Sequence, residues 1–133
     1  MKKALALIAV GFVAASVLAS EFPDININEV KNLSKSGKAV IIDVNGTESY
    51  AEGHVPGALD FEAIQAKLSE VLPKDKNALI VAYCGNPKCQ AYLSAARAAE
   101  KLGYKNIKHM SAGIAGWKDA GMKTEKGEKP KTT

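Results

Sequence analysis

Several residue types on which common binding sites depend are scarce in this chain of 133 residues. It has two cysteines, two histidines and one tryptophan, and aromatic residues make up 6% of it. The cysteines and histidines lack the close spacing of a zinc site, so we predict no metal, and we expect no cofactor. A net charge of +4 is too mild to indicate a nucleic-acid partner.

The chain also lacks a hydrophobic run long enough to span a membrane. Residues 4–18 are apolar apart from Gly11 and Ser16, whereas a spanning helix needs roughly 20 residues. This run follows two lysines and ends in Val-Leu-Ala, with small residues where signal peptidase cuts. The pattern is typical of a secretory signal peptide, so we expect residues 1–19 to be removed. The mature protein is then periplasmic or secreted, without stable membrane association; an uncleaved N-terminal anchor is the alternative.

No apolar residue occurs at the other end of the chain. Residues 123–133 contain lysines interleaved with Glu125 and Glu128, together with Gly127 and Pro130. Because this composition is typical of solvated segments, we predict a disordered, Lys-rich tail. The part of the chain between leader and tail is the size of one ordinary domain.

The most informative stretch places a cysteine between a strand and a helix. Residues 79–83, Leu-Ile-Val-Ala-Tyr, predict a buried strand, and Cys84 follows at its carboxyl end. Gly-Asn-Pro predicts a turn, and the Ala-rich run ending at Gly103 predicts a helix. Because loop amides and a helix N-terminus favour an anion, we expect a lowered pKa for Cys84, which would make it a nucleophile. The alternative is a buried structural cysteine.

Strands and helices alternate along the rest of the domain. A first helix is predicted after Asn26, which forms a capping pattern with Glu29. Residues 39–44 predict a strand buried on both faces, and shorter strands are predicted at 58–61 and 106–110. Helices of crossover length are predicted between the strands. The fold class is therefore α/β with a mostly parallel sheet.

Three separated segments carry recognisable motifs. The acid-containing strand at residues 42–44 is followed by Gly-His-Val-Pro-Gly-Ala at 53–58, Cys84 ends a later strand, and Gly-Ile-Ala-Gly-Trp occupies 113–117. In this order the motifs resemble the rhodanese-like family of single-domain sulfurtransferases, over residues 24–122. The resemblance implies a three-layer α/β/α fold around a five-stranded, mainly parallel sheet.

The resemblance also implies sulfur transfer through a persulfide on Cys84. In that family a cysteine thiolate takes the sulfane sulfur of thiosulfate or a similar anion, and sulfite leaves. The outer sulfur then passes to cyanide or a thiol acceptor, and we expect that the acceptor can be a sulfur-accepting protein. We predict that backbone amides of the following loop form an anion cradle, with the Lys88 side chain attracting the donor. The cradle residues are Gly85, Asn86, Lys88, Cys89 and Gln90.

Cys89 is the second thiol of this predicted loop. If the loop folds back, Cys89 lies near Cys84 and is a candidate resolving thiol that attacks a Cys84 persulfide. A small residue packed at a helix start is the alternative. Three functions stay open: a thiosulfate sulfurtransferase, a non-catalytic sulfane-sulfur carrier or binding module, and a thiol–disulfide redox protein that uses both cysteines.

Several positions depart from the patterns of related sites. Asn45 stands where the rhodanese strand motif often has arginine, which removes an expected ion pair whose candidate partner is Glu48. Gln90 stands six positions after Cys84, where phosphatases of a related fold have the arginine that binds phosphate. We therefore exclude a phosphatase. We expect His54 to hydrogen-bond within its glycine loop and His109 to be partly exposed or hydrogen-bonded.

Overall fold

A computed structural model of the chain describes residues 22–127, together with the isolated residue Gly11. Apart from Gly11, the predicted signal peptide at residues 1–19 lies outside the described residues, as does the end of the predicted tail at 128–133. No helix within the described range is long and apolar enough to cross a membrane.

Four parallel strands form a central sheet, and one more segment lies along its edge. The strands are β1 (Val40–Asp43), β2 (Leu59–Asp60), β3 (Ile80–Tyr83) and β4 (Ile107–His109). Their spatial order in the described chain is β2-β1-β3-β4. Beside β4, Asp24 forms a parallel bridge with His109, and the Ile25 amide donates to the His109 carbonyl at 3.0 Å. Asp24 thus lies beside β4, at the edge where the fifth strand implied by the family resemblance would pair.

Helices cover both faces of this sheet. They are α1 (Ile27–Ser36), α2 (Thr47–Glu52), α3 (Phe61–Ile64), α4 (Leu68–Val71), α5 (Tyr92–Lys101) and α6 (Gly113–Asp119). The start of α1 is confirmed, because the Asn26 side chain accepts a hydrogen bond from the Glu29 amide at 2.9 Å.

The alternation of side chains along β3 assigns them to two separate hydrophobic cores. Ile80, Ala82 and Cys84 pack on the side covered by α5. Val81 and Tyr83 pack on the opposite side, with buried residues of α1 and α6. Because successive side chains of a strand point to opposite faces, Cys84 lies on the α5 side of the sheet. The predicted three-layer α/β/α fold is confirmed.

The end of the described chain docks on the domain. Glu125 and His54 form an antiparallel bridge with two backbone hydrogen bonds of 2.9 Å. The indole Nε1 of Trp117 donates to the carbonyl of Lys123 at 2.8 Å. The prediction of a disordered tail is therefore wrong for residues 123–127, which belong to the folded domain.

Candidate functional site

Cys84 lies where the central strand β3 ends and a loop to α5 begins. The carbonyls of Cys84 and Gly85 accept hydrogen bonds from the amides of Ile114 and Ala115, both at 2.9 Å. These two amides belong to the first turn of α6, where amides lack partners within the helix. The start of α6 therefore holds the start of the cysteine loop in place.

The start of α6 can approach the backbone of the cysteine loop closely because residue 113 is glycine. Its φ is +66°, a conformation that L side chains rarely adopt. A Cβ at this position would lie 2.6 Å from the carbonyl carbon of Gly85 and 2.7 Å from the amide nitrogen of Asn86. Any side chain at residue 113 must displace the loop. The motif at 113–117 is recognisable in the sequence, but its pattern carries no sign of this supporting contact.

The turn of the loop is shaped by Asn86. Its side-chain Oδ1 accepts a hydrogen bond from the Lys88 amide at 2.9 Å, and its carbonyl accepts one from the Cys89 amide at 3.1 Å. The amides of Lys88 and Cys89 are used within the turn, so the prediction that they face the Cys84 sulfur is wrong. The side chains of Lys88 and Gln90 are exposed.

Three other amides act on the two thiols by hydrogen bonding and favour their ionised forms. The Gly85 amide faces the sulfurs of both Cys84 and Cys89. The Tyr92 amide faces Cys84, and the Ala91 amide faces Cys89. Because hydrogen bonds from amides stabilise an anionic sulfur, these groups form the cradle. The cradle is thus built from the start of the loop and the start of α5.

Cys84 and Cys89 are free thiols that lie next to each other in the folded loop. The Cys84 Sγ donates a hydrogen bond to the carbonyl oxygen of Cys89 at 3.2 Å, and the two thiols influence each other's ionisation. Only 1% of Cys84 is exposed, whereas Cys89 is partly exposed. The loop thus brings together a buried thiol and a thiol that solvent can reach.

The two cysteines differ in the direction of their pKa shifts. Burial is the largest cause that raises the pKa of Cys84 to about 11, and the hydrogen bond with Cys89 adds to the rise. At Cys89 burial also acts upward, but the hydrogen bond from Cys84 and the amides of Gly85 and Ala91 outweigh it and lower the pKa. The expectation of a lowered pKa for Cys84 is therefore wrong, and Cys89 is the thiol that ionises first.

A buried hydrogen-bond network holds β3 on the other face of the sheet. The Tyr83 hydroxyl donates to Oδ2 of Asp43 at 2.6 Å and accepts from the Val55 amide at 3.0 Å. Oδ1 of Asp43 accepts from the Asn45 amide at 2.7 Å. Burial is the largest cause that raises the pKa of Asp43, while these hydrogen bonds act downward. The network connects the strand and loop of the first motif to the strand that ends in Cys84.

Asn45, which stands in place of the family's arginine, lies against the cysteine loop. Its Oδ1 is 3.5 Å from the point where a Cβ on Gly85 would stand. Glu48, the candidate partner of the absent arginine, is exposed. Residue 45 therefore places a neutral amide side chain, and not a charged one, beside the loop.

The two histidines have different surroundings. Nδ1 of His54 donates to the Tyr50 carbonyl at 2.8 Å, so its partner lies in α2 and not in the glycine loop. His109 stacks on Tyr92 with ring centroids 3.4 Å apart, and its buried Nε2 has no hydrogen-bond partner among residues 22–127. The described chain contains no group of three or more cysteine, histidine or acidic residues that could hold a metal ion.

Comparison with known proteins places this architecture in a family. The model of the rhodanese-like domain matches residues 26–120. The chain belongs to the rhodanese-like family. This rhodanese-like chain is also 29% identical to human thiosulfate:glutathione sulfurtransferase over 108 residues, which cover 71% of the chain and 92% of the human protein.

A second curated relative is a longer protein. The chain is 32% identical to the HTH-type transcriptional regulator Rv0324 of Mycobacterium tuberculosis over 120 residues. This alignment covers 89% of the chain but 51% of the regulator, so the chain spans about half the length of that relative. Among solved structures, the BH2092 protein of Bacillus halodurans has a TM-score of 0.68 at 26% identity, covering 78% of this chain and 77% of its own.

Proposed function

We propose that this rhodanese-like domain is a sulfurtransferase that moves sulfane sulfur from thiosulfate, or a similar anion, through a persulfide on Cys84. The observation that carries the proposal is the position of Cys84 at the end of the central strand, with amides of Gly85 and Tyr92 facing its sulfur. Similarity to the human thiosulfate:glutathione sulfurtransferase supports the same class of reaction. The proposed acceptor is cyanide, a small thiol or a sulfur-accepting protein.

In the first step the Cys84 sulfur attacks the sulfane sulfur of thiosulfate. A new S–S bond forms, the S–S bond of thiosulfate breaks, and sulfite leaves with the bonding electron pair. The proton of Cys84 passes to the neighbouring Cys89 sulfur, because the lowered pKa of Cys89 makes its thiolate available as the acceptor. The resulting persulfide anion is stabilised by the amides of Gly85 and Tyr92.

The donor is proposed to approach across the cysteine loop. Cys84 itself is buried, whereas Gly85 and Cys89 are partly exposed and Asn86, Lys88 and Gln90 are exposed. A cationic side chain at the mouth of the site raises the local concentration of an anion. Lys88 therefore serves to attract the donor, and Lys88→Ala is expected to raise KM for thiosulfate more than it lowers kcat.

A thiosulfate:cyanide assay tests the proposal. Thiocyanate formation is expected with the wild-type protein and is expected to disappear in Cys84→Ser, because the persulfide then has no carrier. Turnover by Cys84→Ser would contradict the assignment of the nucleophile. If wild-type Cys84 gains a sulfur atom but does not pass it to cyanide or a thiol, the protein is a non-catalytic sulfane-sulfur carrier.

A thiol–disulfide redox protein is the second candidate function. The observation that favours it is the pairing of the partly exposed Cys89, which ionises first, with the buried Cys84. Cys89→Ser distinguishes the two functions. Complete loss of turnover with a retained persulfide favours the redox protein, whereas continued transfer of sulfur to cyanide favours the sulfurtransferase.

We further propose that the protein works outside the cytoplasm. The support is the basic and apolar leader at residues 1–19 with small residues at its end. Sequencing the N-terminus of protein isolated from the source cells tests this proposal. A mature chain beginning just after the leader is expected, and an intact leader in a cytoplasmic fraction would contradict it.

A further inference from the structure

We infer that Cys89 resolves the persulfide on Cys84, forming a Cys84–Cys89 disulfide and releasing sulfide. This inference rests on the proposed function, because it begins with sulfur on Cys84. The juxtaposition that supports it is the contact of the buried Cys84 thiol with the backbone of the partly exposed Cys89 inside a single turn of chain. The loop itself then contains the first acceptor of the reaction.

The loop keeps the two sulfur atoms close without a covalent link. The Asn86 turn directs the chain back, so the carbonyl of Cys89 lies 3.2 Å from the Cys84 Sγ. One amide, that of Gly85, reaches both sulfurs. The Ala115 amide at the start of α6 fixes Gly85 by donating a hydrogen bond to its carbonyl. The folded loop therefore already places the two cysteines side by side, as an attack by Cys89 on Cys84 requires.

The surroundings also give the two thiols different roles. Cys84 is 1% exposed and is held by the core beneath α5, so solvent reaches its Sγ less readily than it reaches Cys89. Cys89 lies at the surface of that core and is partly exposed. Because it is nearer than any external thiol, Cys89 competes with them for the persulfide. After the disulfide has formed, a reductant from solution reaches it at the Cys89 sulfur.

The step balances as a thiol–disulfide exchange. Cys89 gives up its proton, and its sulfur forms a bond to the Cys84 Sγ while the bond from Sγ to the outer sulfur breaks. The outer sulfur leaves with the electron pair, takes the proton and departs as hydrosulfide. The sulfane sulfur is reduced by two electrons, and the two thiols are oxidised to the disulfide. A low-molecular-weight thiol or a dithiol protein then returns the pair to the reduced state.

The test measures sulfide and cysteine state together. The reduced full chain, kept free of oxygen and external thiols, receives a small excess of thiosulfate and is left until reaction ends. Wild type is expected to release about one sulfide per chain, and non-reducing peptide mapping should find Cys84 joined to Cys89. Cys89→Ser should keep one extra sulfur on Cys84 and release no sulfide. Ser94→Ala, an exposed change in α5, is the matched control and should behave as wild type.

Each other outcome is decisive. Wild type that keeps the extra sulfur, with Cys89 free and no sulfide released, overturns this inference and leaves the proposed function intact. A disulfide that forms without an equal amount of sulfide also overturns it, because the thiols were then oxidised by another route. If neither wild type nor Cys89→Ser gains sulfur or releases sulfide, the proposed function fails and the inference fails with it.

Discussion

Tyr83 and Cys84 are neighbours in the chain, yet they lie on opposite faces of the sheet in contrasting surroundings. The Tyr83 hydroxyl is fixed by Asp43 and Val55, with hydrogen bonds of 2.6 and 3.0 Å inside the core. Cys84 instead shares the environment of a second thiol in a loop that is exposed over much of its length. One face thus supports the strand, and the other presents the reactive sulfur.

This contrast assigns stability and chemistry to different contacts. Changes on the Tyr83 face are expected to lower the free energy of unfolding while leaving the ionisation of the thiols alone. Changes within the thiol pair are expected to shift ionisation with little effect on stability. Gly113 is the exception, because its close contact with the backbone of Gly85 joins α6 to the cysteine loop.

The largest effect is expected for Gly113→Ala. A side chain at φ +66° costs roughly 1–2 kcal/mol, and the clash with Gly85 adds about 1–3 kcal/mol of overpacking. Denaturant unfolding measures the loss. Gly121→Ala is the matched control, since it has φ +74° but open space around its Cβ position. Equal losses at the two positions would remove the argument that residue 113 supports the loop.

Tyr83→Phe is expected to have the next largest effect. It leaves the buried Asp43 carboxyl and the Val55 amide without their shared partner, which costs about 1–3 kcal/mol. Tyr50→Phe, which removes a 2.6 Å bond to the Ala58 carbonyl in a less buried place, should cost less. The rate at which Cys89 is alkylated should not change in either variant. A changed alkylation rate in Tyr83→Phe would mean that the two faces are coupled.

The pH dependence of stability tests the buried carboxyl of Asp43. Burial raises the pKa of Asp43 above its usual 3.8, so the folded state favours the protonated acid. The stability contributed by Asp43 is therefore full below 3.8 and is lost as the pH rises through the raised value. Relative to Asp43→Asn, wild type should lose unfolding free energy across this window. A constant difference between the two proteins would contradict the raised pKa.

The smallest effect is a shift in the ionisation of Cys89. Cys84→Ala removes the hydrogen bond that helps to lower the pKa of Cys89, so this pKa should rise. The pH dependence of alkylation at Cys89 measures it, with the wild-type midpoint expected below the usual value of 9.0. Unfolding measurements on the same variant separate this change from a loss of folded protein. An unchanged midpoint would indicate that the thiols do not interact.

Much of the fold is predictable from the sequence because it depends on local patterns. The apolar strand before Cys84, the capping residue Asn26 and the order of the three motifs are visible without coordinates, and each agrees with the fold. These features follow from hydrophobic periodicity and from turn chemistry. The α/β class and the location of Cys84 at the end of the central strand could therefore be predicted.

The details of the site depend on contacts that no local pattern encodes. The sign of the pKa shift at Cys84 follows from the depth at which α5 buries it. The amides of Lys88 and Cys89 turn away from the sulfur because Asn86 accepts both of them. The docking of Glu125 on His54 likewise arises from tertiary pairing between distant segments. In each case the missing information is which groups the completed fold brings together.

The most direct test of the central claim maps the position of the transferred sulfur in two single-cysteine proteins. Cys89→Ser and Cys84→Ser are exposed to thiosulfate, and peptide mass mapping locates any extra sulfur atom. The account predicts one extra sulfur on Cys84 in Cys89→Ser and none in Cys84→Ser. An extra sulfur on Cys89 in Cys84→Ser, with none on Cys84 in the other variant, would contradict it.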